Sequence, residues 1–279
     1  MPDTFTPAEI QTFAPAMKIG LVASVNDQGQ PHVTLLSSLM ACGERRLCWG
    51  QFTEGLSLGY MQRRRKVGFL IMNLARHLWR GTARYTDSAT SGREFELYNN
   101  EPMFRYNAYF GIHSVHYFDL VEHGGEETLP MNRIIFSAVQ TLLARRLAGF
   151  GHTPEVFNPW TRRFVDKIDN LKFVAYLSAD GFPVIIPAIQ LQTGGSSHLF
   201  FSTGAYGREL RGIPPGASVA IFAMALSMED VLLRGTYRGI QRRAGLPVGV
   251  IEVDWVYNPM PPAPDVIYPR APLTAVREF

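Results

Sequence analysis

The side chains best suited to metal or redox chemistry lie in the first half of the chain: Cys42 and Cys48, the only two cysteines among 279 residues, and His113, His116 and His123. Two thiols are too few for a disulfide framework, and they lack the companion Cys/His pair of a zinc site. His113 and His116 would share a face on a helix, but they fall where a strand is expected to begin, and there the pair diverges. Metal ligation is therefore not expected. The run Arg63-Arg64-Arg65-Lys66 sits where a short helix ends ahead of a strand at Val67, so its cations complement the helix dipole. GxSxG, HExxH, a Walker loop and the Rossmann glycine fingerprint are all missing from the sequence.

Composition narrows the field further. A hydrophobic share of 46% with 18% charged residues is that of a folded soluble chain. The net charge of +3 is too small for a nucleic-acid binder, which would carry a basic stripe. Met1 to Pro7 has no basic segment leading into an apolar core, so no signal peptide is expected. The longest apolar runs, such as Val219 to Leu226, are far short of the ~20 residues that cross a bilayer. A cytoplasmic protein with no membrane and no nucleic-acid partner is the expectation.

The elements that position these residues occur twice. Val22 to His32 reads VASVNDQGQPH, and Val174 to Val184 reads VAYLSADGFPV. Each is an apolar strand, a turn ending in Gly, one residue, then Pro and a second strand, with the glycine supplying positive φ. Gly29 and Gly181, Pro31 and Pro183, Leu47 and Leu199, and Val67 and Val219 all stand 152 positions apart. Trp79-Arg80-Gly81-Thr82 answers Leu233-Arg234-Gly235-Thr236 at 154, which a small insertion would explain. Each half closes on an alternating strand, Val115 to Glu122 and Val250 to Tyr257. Thr6-Pro7-Ala8-Glu9 and Thr153-Pro154-Glu155 read as entry-helix starts.

Between the halves, Ile134, Ile135, Val139, Leu142, Leu143 and Leu147 follow a helical period, with Gly149 and Gly151 as a stop. The expectation is an amphipathic connecting helix packed on a barrel by that apolar face. The first half carries an aromatic insertion, Asp87 to Gly111, read as a helix and loop covering a barrel face or as a lid. The tail from Pro259 is proline-rich and should be extended. The expected organisation is a first barrel copy over 1–127, the connecting and second entry helices over 128–168, a second copy over 169–258 and the tail over 259–279.

This order of elements resembles the FMN-binding split-barrel family of the pyridoxamine 5'-phosphate oxidase type. The carrying segments are VNDQGQPHVT with LSADGFPVIIP, RLCWGQFTEGLSL with HLFFSTGAYGREL, KVGFLIMN with SVAIFAMA, and WRGTAR with LRGTYR. The resemblance implies a mainly β (α+β) chain of two tandem antiparallel split β-barrels of Greek-key type, with short flanking helices. It further implies FMN at a barrel–barrel interface, its phosphate in a cradle after the third strand. Such a cradle needs hydroxyls, backbone N–H groups and a guanidinium or ammonium. Ser202, Thr203, Arg208 and Arg211 supply these in the second copy, with Gly204 letting the backbone approach. In the first copy Gln51 stands in place of the hydroxyl. Thr34, Arg80 and Arg234 are further cofactor-binding candidates, and His32 is a candidate substrate contact. No catalytic residue is identified. An FMN-dependent oxidoreductase follows, with a small-molecule substrate, a nicotinamide or deazaflavin electron donor and a homodimer as expected partners. The alternatives are a split barrel that has lost flavin and serves as a binding or structural module, and a haem-binding relative.

Overall fold

Antiparallel strands outnumber helices in the computed structural model, which describes residues 1–14, 17–101, 111–147, 154–243, 245–260 and 264–270. The fold class is mainly β with short helices, as the alternating apolar runs predict. Contacts divide the chain into two units. Unit 1 comprises Met1–Gly29, Val33–Leu129 and Ser178–Ile185; unit 2 comprises Gln30–His32, Pro130–Leu177 and Ile186–Phe279.

The first sheet contains β1 (Ile19–Val25), β2 (Pro31–Leu35), β3 (Met40–Gly43), β4 (Arg46–Gln51), β5 (Lys66–Met72), β6 (His77–Ala89) and β7 (Ser114–Thr128), in the order β2-β1-β5-β6-β7-β4-β3. Helix α1 (Pro7–Phe13) opens with the expected capping box. Thr6 Oγ1 accepts from the Glu9 N–H at 3.3 Å, and the Thr6 N–H donates to Glu9 Oε2 at 2.8 Å. The other Glu9 oxygen accepts from Trp79 Nε1 at 3.1 Å, which ties the helix to the sheet. Phe5, Phe13 and Trp79 pack edge to face in the core there. Helix α2 (Leu56–Arg64) ends at Arg65 in the left-handed conformation. The basic run does more than face the helix dipole: Arg63 grips the Asp27 carboxylate through two nitrogens, and Arg64 donates to the Asp27 carbonyl at 2.9 Å. Both therefore hold the β1–β2 turn.

The second sheet contains β8 (Leu171–Leu177), β9 (Pro183–Pro187), β10 (Gln192–Gly194), β11 (His198–Ser202), β12 (Ser218–Met224), β13 (Asp230–Arg243) and β14 (Leu246–Asn258) in the order β10-β11-β14-β13-β12-β8-β9. A last strand, β15 (Asp265–Tyr268), pairs with β14, so part of the proline-rich tail is strand.

Backbone hydrogen bonds recur at the sequence spacing. The Leu36 N–H meets the Gly20 carbonyl at 2.7 Å, and 152 positions on Ala188 meets Lys172 at 2.8 Å. Gly29 closes on Asn26 at 3.0 Å and Gly181 on Ser178 at 2.9 Å; Tyr85 donates to Arg65 at 2.7 Å and Tyr237 to Ala217 at 2.9 Å. The offset of the Arg-Gly-Thr segments is not an insertion, however. The turns after β5 and β12 have equal length, with Asn73 bonded to His77 and Ala225 to Glu229. Gly235 lies opposite Val219, whereas the equivalent Val67 faces Ala83 rather than Gly81. What matches is the pairing with the last strand: a register shift falls beside each glycine, and an added Cβ would stand 2.2 Å from the Glu122 carbonyl oxygen at Gly81 and 2.1 Å from that of Glu252 at Gly235. The irregularity has moved by one pleat period, which keeps every side chain on its own face.

Two helices depart from expectation. The connecting helix α4 (Met131–Leu147) exists, but its large apolar residues do not pack on the sheet: Ile135, Phe136, Val139, Leu143 and Leu147 are 48–67% exposed. Its buried face is Ile134 with Ser137, Ala138, Thr141 and Ala144. Short side chains allow the close approach that the strand ends demand. The second entry helix, α5 (Pro159–Asp166), begins later than Pro154, because Asn158 caps it through Oδ1 to the Thr161 N–H at 2.7 Å and Pro159 takes the first turn. The start at Thr153 and the stop at Gly149 and Gly151 lie outside the described residues. In the aromatic insertion, α3 (Arg93–Asn100) buries Tyr98; Phe104, Tyr106, Tyr109 and Phe110 lie outside the described residues. No described helix is long and apolar enough to cross a membrane.

Candidate functional site

In unit 2, strand β11 runs out at Ser202, and Thr203 and Gly204 lead toward α6 (Gly207–Gly212). The short inner face of α4 lies on this turn. Ser202 donates its hydroxyl to Gln140 Oε1 at 2.5 Å and its N–H to Thr141 Oγ1 at 2.9 Å. Arg133 Nε donates to the Gly204 carbonyl at 3.1 Å, and a Cβ on Gly204 would stand 2.4 Å from Ser137 Oγ. Both donors of Ser202 are thus engaged by the helix. Thr203 is buried, yet its hydroxyl has no hydrogen bond among the described residues. Arg211 turns its Nε back to the Gly207 carbonyl at 2.9 Å. Arg208 is exposed and makes no ion pair or hydrogen bond among the described residues.

The corresponding strand end in unit 1 is closed differently. Gln51 is buried, and its Oε1 accepts from Ser114 Oγ and from His116 Nε2, each at 2.9 Å. Since Nε2 donates, His116 Nδ1 is the acceptor for the Tyr85 hydroxyl at 3.1 Å. Trp49 stacks on the imidazole at 4.6 Å. Burial, reinforced by the nearby charge of His113, pulls His116 down to about 4, so the ring is neutral at pH 7. His113 is exposed, so the two histidines diverge. This is a satisfied polar cluster without a cation to attract a phosphate. No group of three or more metal-ligating side chains occurs among the described residues.

The remaining sequence candidates lie on other strands, Thr34 on β2, Arg80 on β6 and Arg234 on β13. Arg80 forms a two-pronged ion pair with Glu127, at 2.7 and 2.8 Å, and donates to the Ile185 carbonyl at 3.0 Å, all within unit 1. Thr34 is half-buried on β2. In unit 2, Arg234 lies 4.1 Å over Trp255 and donates to Gln30 Oε1 at 3.0 Å. Trp255 stacks on Tyr257 at 5.2 Å, and His32 lies against both rings. Burial and the Arg234 charge bring His32 down to about 3, which makes it a neutral sheet residue. The structure therefore brings Ser202, Thr203, Arg208 and Arg211 to one turn and its helix, and, within unit 2, His32 to Arg234.

Sequence reasoning missed Ser137, Gln140 and Thr141, which decide how open the turn is. Their signal was present: Ser137 and Thr141 stand four apart, on the same face as Ala138 and Ala144. Trp255 and Tyr257 were also legible, as alternate residues of one strand.

No protein-family profile matches the chain, and no curated protein matches it. Among solved structures it is similar to HupZ of Group A Streptococcus, at 13% identity over 43% of this chain and 91% of that one, with a TM-score of 0.35. It is similar also to an FMN-binding protein from Syntrophomonas wolfei, at 13% identity over 42% and 80%, with a TM-score of 0.34. A FAD-binding protein from Mesorhizobium loti matches at 17% identity over 45% and 97%, with a TM-score of 0.28. Each likeness spans less than half of this chain.

Proposed function

We propose that the chain is a flavin-binding oxidoreductase built from two tandem copies of one split barrel, with FMN bound through its phosphate at Thr203 and Arg208. The recurrence of turns and backbone bonds 152 positions apart supports the tandem reading. The observation that carries the cofactor reading is Arg208, an exposed guanidinium without a partner among the described residues, five positions after a buried threonine whose hydroxyl is uncommitted. A phosphate takes such a fork and hydroxyl well. Ser202 and the Arg211 Nε are already engaged, so they position the turn rather than hold the anion. When bound, the flavin supplies the electron transfer, which relieves the chain of any need for an acid–base pair. A small-molecule substrate, a nicotinamide or deazaflavin electron donor and a homodimer belong to the same proposal.

Arg208→Ala should weaken FMN binding by about 1.5–3 kcal/mol, roughly ten- to a hundredfold in Kd. Arg64→Ala, which removes only a bond to the Asp27 carbonyl, should leave Kd within about twofold, a few tenths of a kcal/mol. Titration of both variants with FMN, followed by flavin fluorescence, checks this; equal effects would put the phosphate elsewhere.

A second reading has its own support. The Gln140–Ser202 bond closes one half of the cradle and the Gln51 cluster closes its counterpart. Both are what a barrel that has lost its flavin would show, and such a chain would serve as a binding or structural module.

A further inference from the structure

The outer side of α4 is an apolar ridge open to solvent. Ile135, Phe136, Val139, Leu143 and Leu147 recur about once per turn and fall within roughly 120° of the helix circumference, over a length of about 18 Å. All five are half exposed or nearly so. The opposite side, with its short residues, holds the helix to the strand ends, where Gln140 and Thr141 are tied to Ser202. Apolar surface gathered into one such patch marks an interaction face.

The charges around the ridge have one sign. Residues 131–147 include no Asp or Glu, and Arg133 and Arg146 stand toward the two ends of the helix. The end of the β13–β14 hairpin lies beside its C-terminal half: Leu246 packs on the cluster that contains Ala144, and Arg243 is the cross-strand partner of Leu246. Among the described residues Arg133, Arg146 and Arg243 form no ion pair with a carboxylate; Arg133 is held by the Gly204 carbonyl and Arg243 by Gln241 Oε1 at 2.8 Å. Asp166 and Glu252, on the neighbouring elements, are already neutralised by Arg145 at 2.8 Å and Arg238 at 2.6 Å. A second copy fits this face poorly. Helix paired with helix, in either direction, sets arginine against arginine with no acid to match it. A single ridge also offers no groove in which a peptide could lie.

We infer that α4 docks the protein on an anionic lipid surface. The ridge enters the boundary between headgroups and acyl chains, and the arginines at its ends reach lipid phosphates along their own apolar stems. The helix lies in the plane of the surface, since no described helix is long and apolar enough to cross a membrane. Flavin plays no part in this inference.

Sedimentation of the full-length protein with lipid vesicles tests it. Vesicles of equal parts phosphatidylglycerol and phosphatidylcholine should carry the protein down, and added salt should weaken the binding. Pure phosphatidylcholine should bind roughly a hundredfold more weakly, as expected for three uncompensated arginines. Phe136→Ser combined with Leu143→Ser should reduce binding to the anionic vesicles about tenfold or more, and Arg146→Gln about fivefold. The melting temperature should hold in each case, because these side chains are exposed. Should the double variant melt lower, Val139→Ser alone carries the same readout with a loss of a few-fold. Protein left in the supernatant with anionic vesicles, or binding that the serine variants do not change, would overturn the inference. A lipid-free dimer that the same substitutions dissociate would give the ridge to a second copy instead. Binding to polyglutamate as tight as to the vesicles would give it to an acidic chain.

Discussion

Asp230→Asn should stabilise the protein by about 4 kcal/mol at pH 8 and leave it nearly unchanged near pH 4. Asp230 opens β13 opposite Met224, is 6% exposed, and its Oδ1 is buried with no hydrogen-bond partner among the described residues. Burial lifts this carboxyl from the ordinary 3.8 to about 7. The folded state therefore keeps a proton that the unfolded chain gives up between those two values. Its stabilising share is complete below pH 4 and is lost as the pH rises toward 7, at about 1.4 kcal/mol per unit. Asparagine cannot ionise, so the penalty disappears. The equivalent pair on the first sheet sets Leu78 opposite Met72, with Leu78 fully buried, so the position is a core position by its neighbours. Urea unfolding of the two proteins at pH 4, 6 and 8 checks this, and pH profiles that stay parallel would contradict it.

Gly235→Ala should cost about 3 kcal/mol or more, whereas Gly212→Ala should be neutral or slightly stabilising. A Cβ at Gly235 meets the Glu252 carbonyl oxygen at 2.1 Å and two further backbone atoms at 2.8 Å. None of these can swing away as the end of a flexible side chain would, so β13 and β14 must separate at their register shift. At Gly212, near the end of α6, nothing lies within 4 Å. Thermal melts of both variants decide the matter, and equal melting temperatures would mean that the two strands yield without strain.

The strands and turns were legible because their causes are local. Asn26 to Gly29 and Ala179 to Gly181 carry their turn chemistry in consecutive residues, and the apolar runs at Val67 and Val219 have the length of buried strands. Facing was less legible. Periodicity found helix α4 but assigned the wrong side to the sheet, because bulk marks an apolar face while proximity to Gly204 requires a small one. Pairing was legible only in part: Arg-Gly-Thr was visible as a motif, but its displacement by two positions depends on which neighbouring strand sets the register. At the candidate site the residue types could be read and their partners could not. Nothing near Ser202 in sequence announces that Gln140, 62 positions earlier, takes its hydroxyl proton.

The central claim is that this chain binds flavin, and the absorbance spectrum of the purified protein, with its melting temperature before and after addition of FMN, tests it most directly. A yellow preparation, or a colourless one that takes up FMN and melts several degrees higher, is the predicted result; at a hundredfold excess over Kd the stabilisation is about 2.7 kcal/mol. A colourless protein whose melting temperature FMN does not move would contradict it.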